Sequence, residues 1–325
     1  MPNPTPGDLH VNVPLTNISI AYIQSAEGFI ADKVFPNVPV QKQSDRYFKY
    51  LKEDWFRVEA QERAPGTESA GSGWRVDNTP TYYCPIYAVH KDIDDPTRAN
   101  ADAPINLDRD ATEWVTQQLL LKRETQWANN YFTTGVWGTD RQGVASGATG
   151  NQFVKWSDFT NSNPVLDVKN SVLAIASKTG YKPNVMVVAP DVFNVLTEHP
   201  KILDRVKYTQ RAVITEDILA GLFGVDKFLV PWGVVNTAAE GATENTDLIF
   251  KSKVLLVYAA PAPSLLKPSG GYTFSWTGYL GAGAQGNRIK RFRMEHLSSD
   301  RVEGEMAYDM KVVAPDLGVL FYDAI

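Results

Sequence analysis

The chain has 325 residues, a net charge of −5 and a single cysteine, Cys84. That length supports one large domain or two ordinary ones with real cores, the lone cysteine excludes an internal disulfide and any cysteine-based zinc cluster and fits a reducing cytoplasm, and the acidic balance excludes a dedicated nucleic-acid binder, leaving only weak, local contacts with DNA. No apolar run approaches the roughly 20 residues needed to span a bilayer, and the start, MPNPTPGDLHVNVPL, lacks the basic and apolar regions of a secretory signal.

The first forty residues read as an arm. Residues 2–8, with Pro2, Pro4 and Pro6, contain nothing that builds a core, so the arm is expected to be held by another surface. A short helix is predicted within 18–31, followed by extended chain over 35–40, where Pro36 and Pro39 remove donors and steer their neighbours away from the α region. Two runs rich in aromatic and β-branched residues come next, 46–58 and 82–89, separated by the small, polar stretch APGTESAGSG at 64–73. The pattern predicts a long two-stranded hairpin with a mobile tip. An arm of about 15 residues at roughly 3.3 Å each reaches about 50 Å, well beyond the ~13 Å radius of gyration of a 100-residue domain. A lone hairpin is marginal in water, so this one must lie on another surface.

Residues 108–134 predict one long helix, with Asp108 or Asp110 as N-cap and Gly135 as its stop; about 27 residues at 1.5 Å make roughly 40 Å, over twice the typical length. A Gly-, Ser-, Asn- and Thr-rich loop is expected over 136–163, then a helix over 165–179. The stretch GYKPNVMVVAPDVFNVLTEHPKILDRVKY, 180–208, follows as helix end, loop, buried strand, turn, helix and helix. Gly180 suits a helix C′ position, where a positive φ carries no Cβ strain. Residues 185–189 are a short continuous apolar run, the mark of a strand covered on both faces. Pro190-Asp191 opens a helix that His199-Pro200 closes while opening the next. A capped helix is predicted over 215–224. Strands are predicted at 227–231, 247–258 and 272–276, and a mostly extended tail over 288–325.

This grammar resembles the central domain of tailed-bacteriophage major capsid proteins, the Hong Kong 97-type shell fold, in which helix, P-N, apolar strand, P-D, helix, H-P and second helix recur. The remaining elements fall into the order that family needs. The resemblance implies an α+β fold divided into an N-terminal arm (1–42), an extended β-hairpin loop lying over the adjacent subunit (43–95), a peripheral domain with a long spine helix (96–160), a central axial α/β domain (161–284) and return strands of the peripheral domain (285–325). It implies a structural protein, not an enzyme: a head subunit that assembles in the host cytoplasm into hexamers and pentamers, forming an icosahedral virion shell that encloses double-stranded DNA and expands on maturation. Its implied partners are copies of itself, the packaged DNA, a separate scaffolding protein, a portal and room for a decoration protein, with no membrane and no cofactor. Intersubunit contacts are expected from Pro2, Pro4, Pro6, Trp55, Phe56, Arg63, Glu68, Trp74, Tyr83 and Tyr87, and DNA or ion-pair contacts from Arg288, Lys290, Arg291 and Arg293.

The chemical motifs read blandly. Residues 281–286, GAGAQG, match G-x-G-x-x-G, but the following NRIKRFR alternates like a strand, and a dinucleotide site needs a helix there to face the pyrophosphate. His10, His90, His199 and His296 have no metal-ligand spacing, and His199 is read as a helix cap. Cys84 is read as a small buried hydrophobe. Asp92, Asp94 and Asp95 lack the spacing of a calcium loop and are read as a solvated turn. Two rivals remain: an encapsulin-like nanocompartment shell protein, which shares the fold, and an α/β nucleotide-binding enzyme. Some members of the phage family weld their shells by an isopeptide bond from a Lys on the extended loop to an Asn on a neighbour. This chain has no Lys from Arg57 to His90, and guanidinium cannot substitute, so a non-covalent shell is expected.

Overall fold

The computed structural model describes residues 24, 28–101, 105–206, 214–263, 267–280 and 287–325. The arm prolines Pro2, Pro4 and Pro6, His10 and the glycine motif 281–286 lie outside them, as does most of the helix expected over 18–31, whose described end carries one helical turn at Ala31–Val34.

Two sheets share one core, and the long helix lies on the first of them. That helix runs Leu107–Tyr131, 25 residues, or about 37 Å at 1.5 Å per residue. Its cap is Asn106, whose side chain accepts from the Arg109 N–H at 3.1 Å; Asp108, the expected cap, instead binds Arg98 through two hydrogen bonds of 2.9 Å. The helix ends at Phe132, short of Gly135, which takes φ +81° in the turn beyond. It buries Ala111, Val115 and Leu119 against the strand Ser299–Val312, and Trp127 and Ala128 in the shared core. Gly304 makes the approach possible, since a Cβ there would run into the Val115 and Leu119 side chains. The same strand pairs antiparallel with Ile86–Asp94 along one edge and with Asn287–Met294 along the other. Further on it pairs with Gly271–Trp276, which runs parallel to Asn37–Val40.

The second sheet orders its strands Lys227–Leu229, Val185–Val188, Val254–Val257, Gly318–Tyr322, Thr139–Val144 and Gln152–Val154. All four residues of Val185–Val188 are buried, as a continuous apolar run requires. Helices Pro164–Thr179 and Glu216–Phe223 end on Gly180 (φ +72°) and Gly224 (φ +71°), the left-handed caps that glycine adopts without strain. Pro190–Glu198 and Pro200–Val206 meet at His199, as expected. Asp191 then ties the first of these helices to the sheet: its carboxylate accepts from the Ser252 N–H at 2.8 Å and from the Ser252 hydroxyl at 2.9 Å. Phe35, Trp127, Phe132 and Phe250 join the sheets, with ring centroids 5.2–5.9 Å apart between Phe35 and Trp127, Trp127 and Phe250, and Phe132 and Phe250.

Three expectations need correction. Residues 136–163 are not all loop: Thr139–Val144 and Gln152–Val154 extend the second sheet. The first is polar and held by its neighbour's backbone, with Gly143 packed where a Cβ would strike the Asp323 carbonyl. The run over 247–258 is two strands, Thr246–Leu248 and Val254–Val257, broken at Ser252 with φ +50°. Finally, the predicted long hairpin ladder is short. Ser44–Arg46 pairs with Thr81–Tyr83, and Lys49–Tyr50 with Val76–Asp77. Lys52–Trp55 is a helical turn rather than strand, because Asp54 turns back to bind Arg75, accepting from its N–H at 2.9 Å and its guanidinium at 3.0 Å. Ile86–Asp94 leaves the hairpin after Pro85 and joins the first sheet instead.

Candidate assembly surface

The loop beyond residue 50 carries a group of exposed apolar residues. Trp55 is 53% exposed, Phe56 57% and Trp74 64%, with Phe48 and Val58 open beside them. They form an ordered group: Tyr50 meets Trp55 edge-on at 6.0 Å, and Trp55 lies 5.9 Å from Trp74. The Arg75–Asp54 clamp joins the helical turn that ends at Trp55 to the segment that carries Trp74, and its hydrogen bonds hold the Asp54 carboxyl below its ordinary range. Arg63 closes the tip by donating to the Thr67 carbonyl, and Glu68 is exposed beyond it. These aromatics leave apolar area that the subunit itself does not cover.

The other predicted contact residues lie elsewhere. Tyr83 is exposed on the first sheet side, its N–H bound to Asp309 at 2.9 Å. Tyr87 is half-buried within its own subunit: its ring lies 5.0 Å from Tyr308 and its hydroxyl accepts from Gln126 at 3.2 Å.

All four cations of the strand Asn287–Met294 are paired within the chain. Arg288 and Lys290 converge on Glu305 at 2.7 and 2.8 Å. Burial alone would raise that carboxyl, but Lys290 and Arg288 together hold it below its ordinary range. Arg291 reaches Asp108 at 3.1 Å, and Arg293 forms a two-pronged pair with Asp95 at 2.6 and 2.7 Å. The acidic cluster is not the solvated turn expected: Asp92 and Asp94 end the strand Ile86–Asp94, where Asp92 binds Arg301 at 2.7 Å and Asp94 accepts from the Thr97 N–H at 3.0 Å. No cluster of His, Cys, Asp and Glu suited to a metal occurs among the described residues.

Two buried groups have the composition of a nucleophile site but not its geometry. Ser162 Oγ lies 2.9 Å from His199 Nε2, yet His199 Nδ1 accepts from the Lys201 N–H at 3.1 Å. The proton therefore sits on Nε2, which donates to Ser162, and Ser162 donates onward to the Asp158 carbonyl at 2.6 Å. The pair is a structural relay beneath the helix cap. Cys84 is fully buried, and burial pushes its thiol up to about 12, so it behaves as the small hydrophobe expected.

Sequence reading missed Glu124. It sits on the buried face of the long helix, four residues before Ala128, and is 1% exposed. Its two oxygens accept from the Ile30 and Ala31 N–H groups at 2.9 and 3.0 Å. The available signal was its spacing: Trp127 and Ala128, at i+3 and i+4, are apolar.

No family model matches the chain. It is 26% identical to the major capsid protein of Burkholderia phage BcepMu over 317 residues, 94% of each chain, and 26% identical to that of Pseudomonas phage JBD67 over 318 residues, 96% of each. Its structure superposes on a phage-related protein of Bordetella bronchiseptica with a TM-score of 0.68 and 22% identity, over 93% of both chains. The mature capsid of bacteriophage PhiM1 gives 0.60 and 12%, over 97% of this chain and 92% of that one. An encapsulin complex from Synechococcus elongatus gives 0.55 and 10%, over 96% and 92%. The chain is a homologue of phage major capsid proteins and has the fold of phage capsid subunits.

Proposed function

We propose that this chain is the major capsid protein of a phage head, assembling into hexamers and pentamers of an icosahedral shell around double-stranded DNA. The observation that carries this reading is the homology to major capsid proteins along 94% of the chain. The mechanism is mutual burial. A subunit leaves Trp55, Phe56 and Trp74 exposed on a clamped loop, a neighbour covers them, and the same contact repeats around each ring and across the shell. The internally paired cations of Asn287–Met294 favour a structural charge ladder over DNA binding, because a cation already neutralised releases few counterions from a phosphate backbone. A separate scaffolding protein guides assembly and a portal admits the DNA.

Negative-stain microscopy of the purified chain, with and without its scaffold, tests the reading: closed shells tens of nanometres wide are expected, and a small monodisperse oligomer under both conditions would overturn it. The encapsulin fold similarity supports a second reading, separated from the first by whether the shell encloses DNA or a protein cargo.

The shell is expected to be non-covalent. Lys52 is engaged with Asp316 at the loop base, and no Lys stands between Arg57 and His90. Particles boiled in SDS should run as one band near 36 kDa; a ladder of multimers would show that a base-region Lys reaches a neighbour.

A further inference from the structure

We propose that Glu124 is a proton-linked latch: its carboxyl clasps the backbone where the N-terminal segment enters the fold, and opening of that clasp exchanges a proton with solvent.

The geometry is specific. Both oxygens of one side chain are committed to two consecutive backbone N–H groups, 94 and 93 residues away in sequence, at 2.9 and 3.0 Å. These N–H groups have no helical partner of their own, because they stand at the start of the turn Ala31–Val34. The clasp thus fixes the point from which the chain runs through Phe35 into the strand Asn37–Val40 and so into the first sheet. Glu124 is the most deeply buried acid of the described residues.

The charges around it do not balance it. On its own helix the nearest cation is Arg123, which is drawn to Asp32 at 3.4 Å. The turn Ala31–Val34 brings Asp32, which opposes ionisation, and Lys33, whose charge is felt by Glu216 on the helix Glu216–Phe223. Trp127, one turn on, and Phe35 against it contribute no charge. Burial outweighs the Ile30 and Ala31 hydrogen bonds and the Arg123 charge, and pushes the carboxyl up to about 7 from 4.5. The sign follows from linkage. With the clasp closed the group keeps its proton to about pH 7; with the clasp open, in water, it loses it near 4.5. Closure is therefore at full strength below about pH 4.5 and weakens as pH rises through about 7.

Hydrogen exchange of the full-length chain, expressed as protection factors so that intrinsic pH effects divide out, tests this directly. Protection of residues 28–35 should fall about tenfold per pH unit between pH 5 and 7, one proton being released per opening, and level off above. Glu124→Gln should abolish the slope, whereas Asp32→Asn should keep it. A flat profile in the wild-type segment, or the same slope in Glu124→Gln, would overturn the latch. If Glu124→Gln does not fold, the wild-type profile of residues 28–35 decides alone: the tenfold fall per pH unit supports the latch and a flat profile between pH 5 and 7 overturns it.

Discussion

Replacing Trp127 with alanine is expected to cost about 3–5 kcal/mol of subunit stability, the range for truncating a fully buried aromatic. Trp127 has no exposed surface and stands where the two sheets meet. Its ring lies 5.7 Å from Phe35, 5.9 Å from Phe250, 6.2 Å from Phe132 and 6.4 Å from Tyr131. Alanine would leave a cavity bounded by rigid rings that collapse poorly. A domain's total stability is about 5–15 kcal/mol, so the variant would be barely folded and its soluble yield should drop sharply. Phenylalanine should cost less than half as much. It keeps most of the apolar contact, and it removes an indole N–H that is buried without a hydrogen-bond partner, itself a penalty of about 1–3 kcal/mol. Urea unfolding of unassembled subunits measures both. A loss below about 1 kcal/mol for Trp127→Ala would mean that the two sheets do not depend on a common core.

The sequence was most readable where structure is decided locally. Gly180, the apolar run at Val185, Pro190 and His199-Pro200 each act within a few residues, and the elements from Pro164 to Val206 stand where those signals put them. The long helix was readable for the same reason, though its cap was not: Asp108 looked as good an N-cap as Asp110 because its arginine partners, Arg98 and Arg291, could not be seen to draw it away. What stayed hidden depends on residues far apart. Thr139–Val144 is too polar to announce a strand, and it becomes one by lying along Gly318–Tyr322. Ile86–Asp94 looked like half of a hairpin until its true partner, over 200 residues on, was known. The alternating cations of Asn287–Met294 were plain, but only the register with Ser299–Val312 sets Arg288 opposite Glu305 and Arg293 opposite Asp300. Glu124 was hidden most completely, since a lone acid in a helix defaults to solvent unless something buries it.

The loop tryptophans should behave in the opposite way to Trp127. Trp55 and Trp74 are each more than half exposed in the isolated subunit, so removing both takes away little that the subunit itself has buried. Their mutual contact, and that of Trp55 with Tyr50, is worth about 0.5–1.5 kcal/mol. In the shell a neighbour would cover the remaining half of each ring. At 1.5–3 kcal/mol for a full aromatic burial, that half is worth about 0.75–1.5 kcal/mol per ring and about 1.5–3 kcal/mol for the pair. The subunit concentration at which shells form should then rise roughly ten- to a hundred-and-fiftyfold in the double variant Trp55→Ala/Trp74→Ala. Tyr87→Ala supplies the contrast, because Tyr87 packs on Tyr308 and Gln126 inside its own subunit. It should lower subunit stability at least as much as it hinders assembly. Light scattering across a concentration series and urea unfolding of the same preparations separate the two effects. If the double tryptophan variant loses as much subunit stability as Tyr87→Ala and assembles at an unchanged concentration, the loop aromatics serve their own fold, and the surface that joins neighbours lies elsewhere.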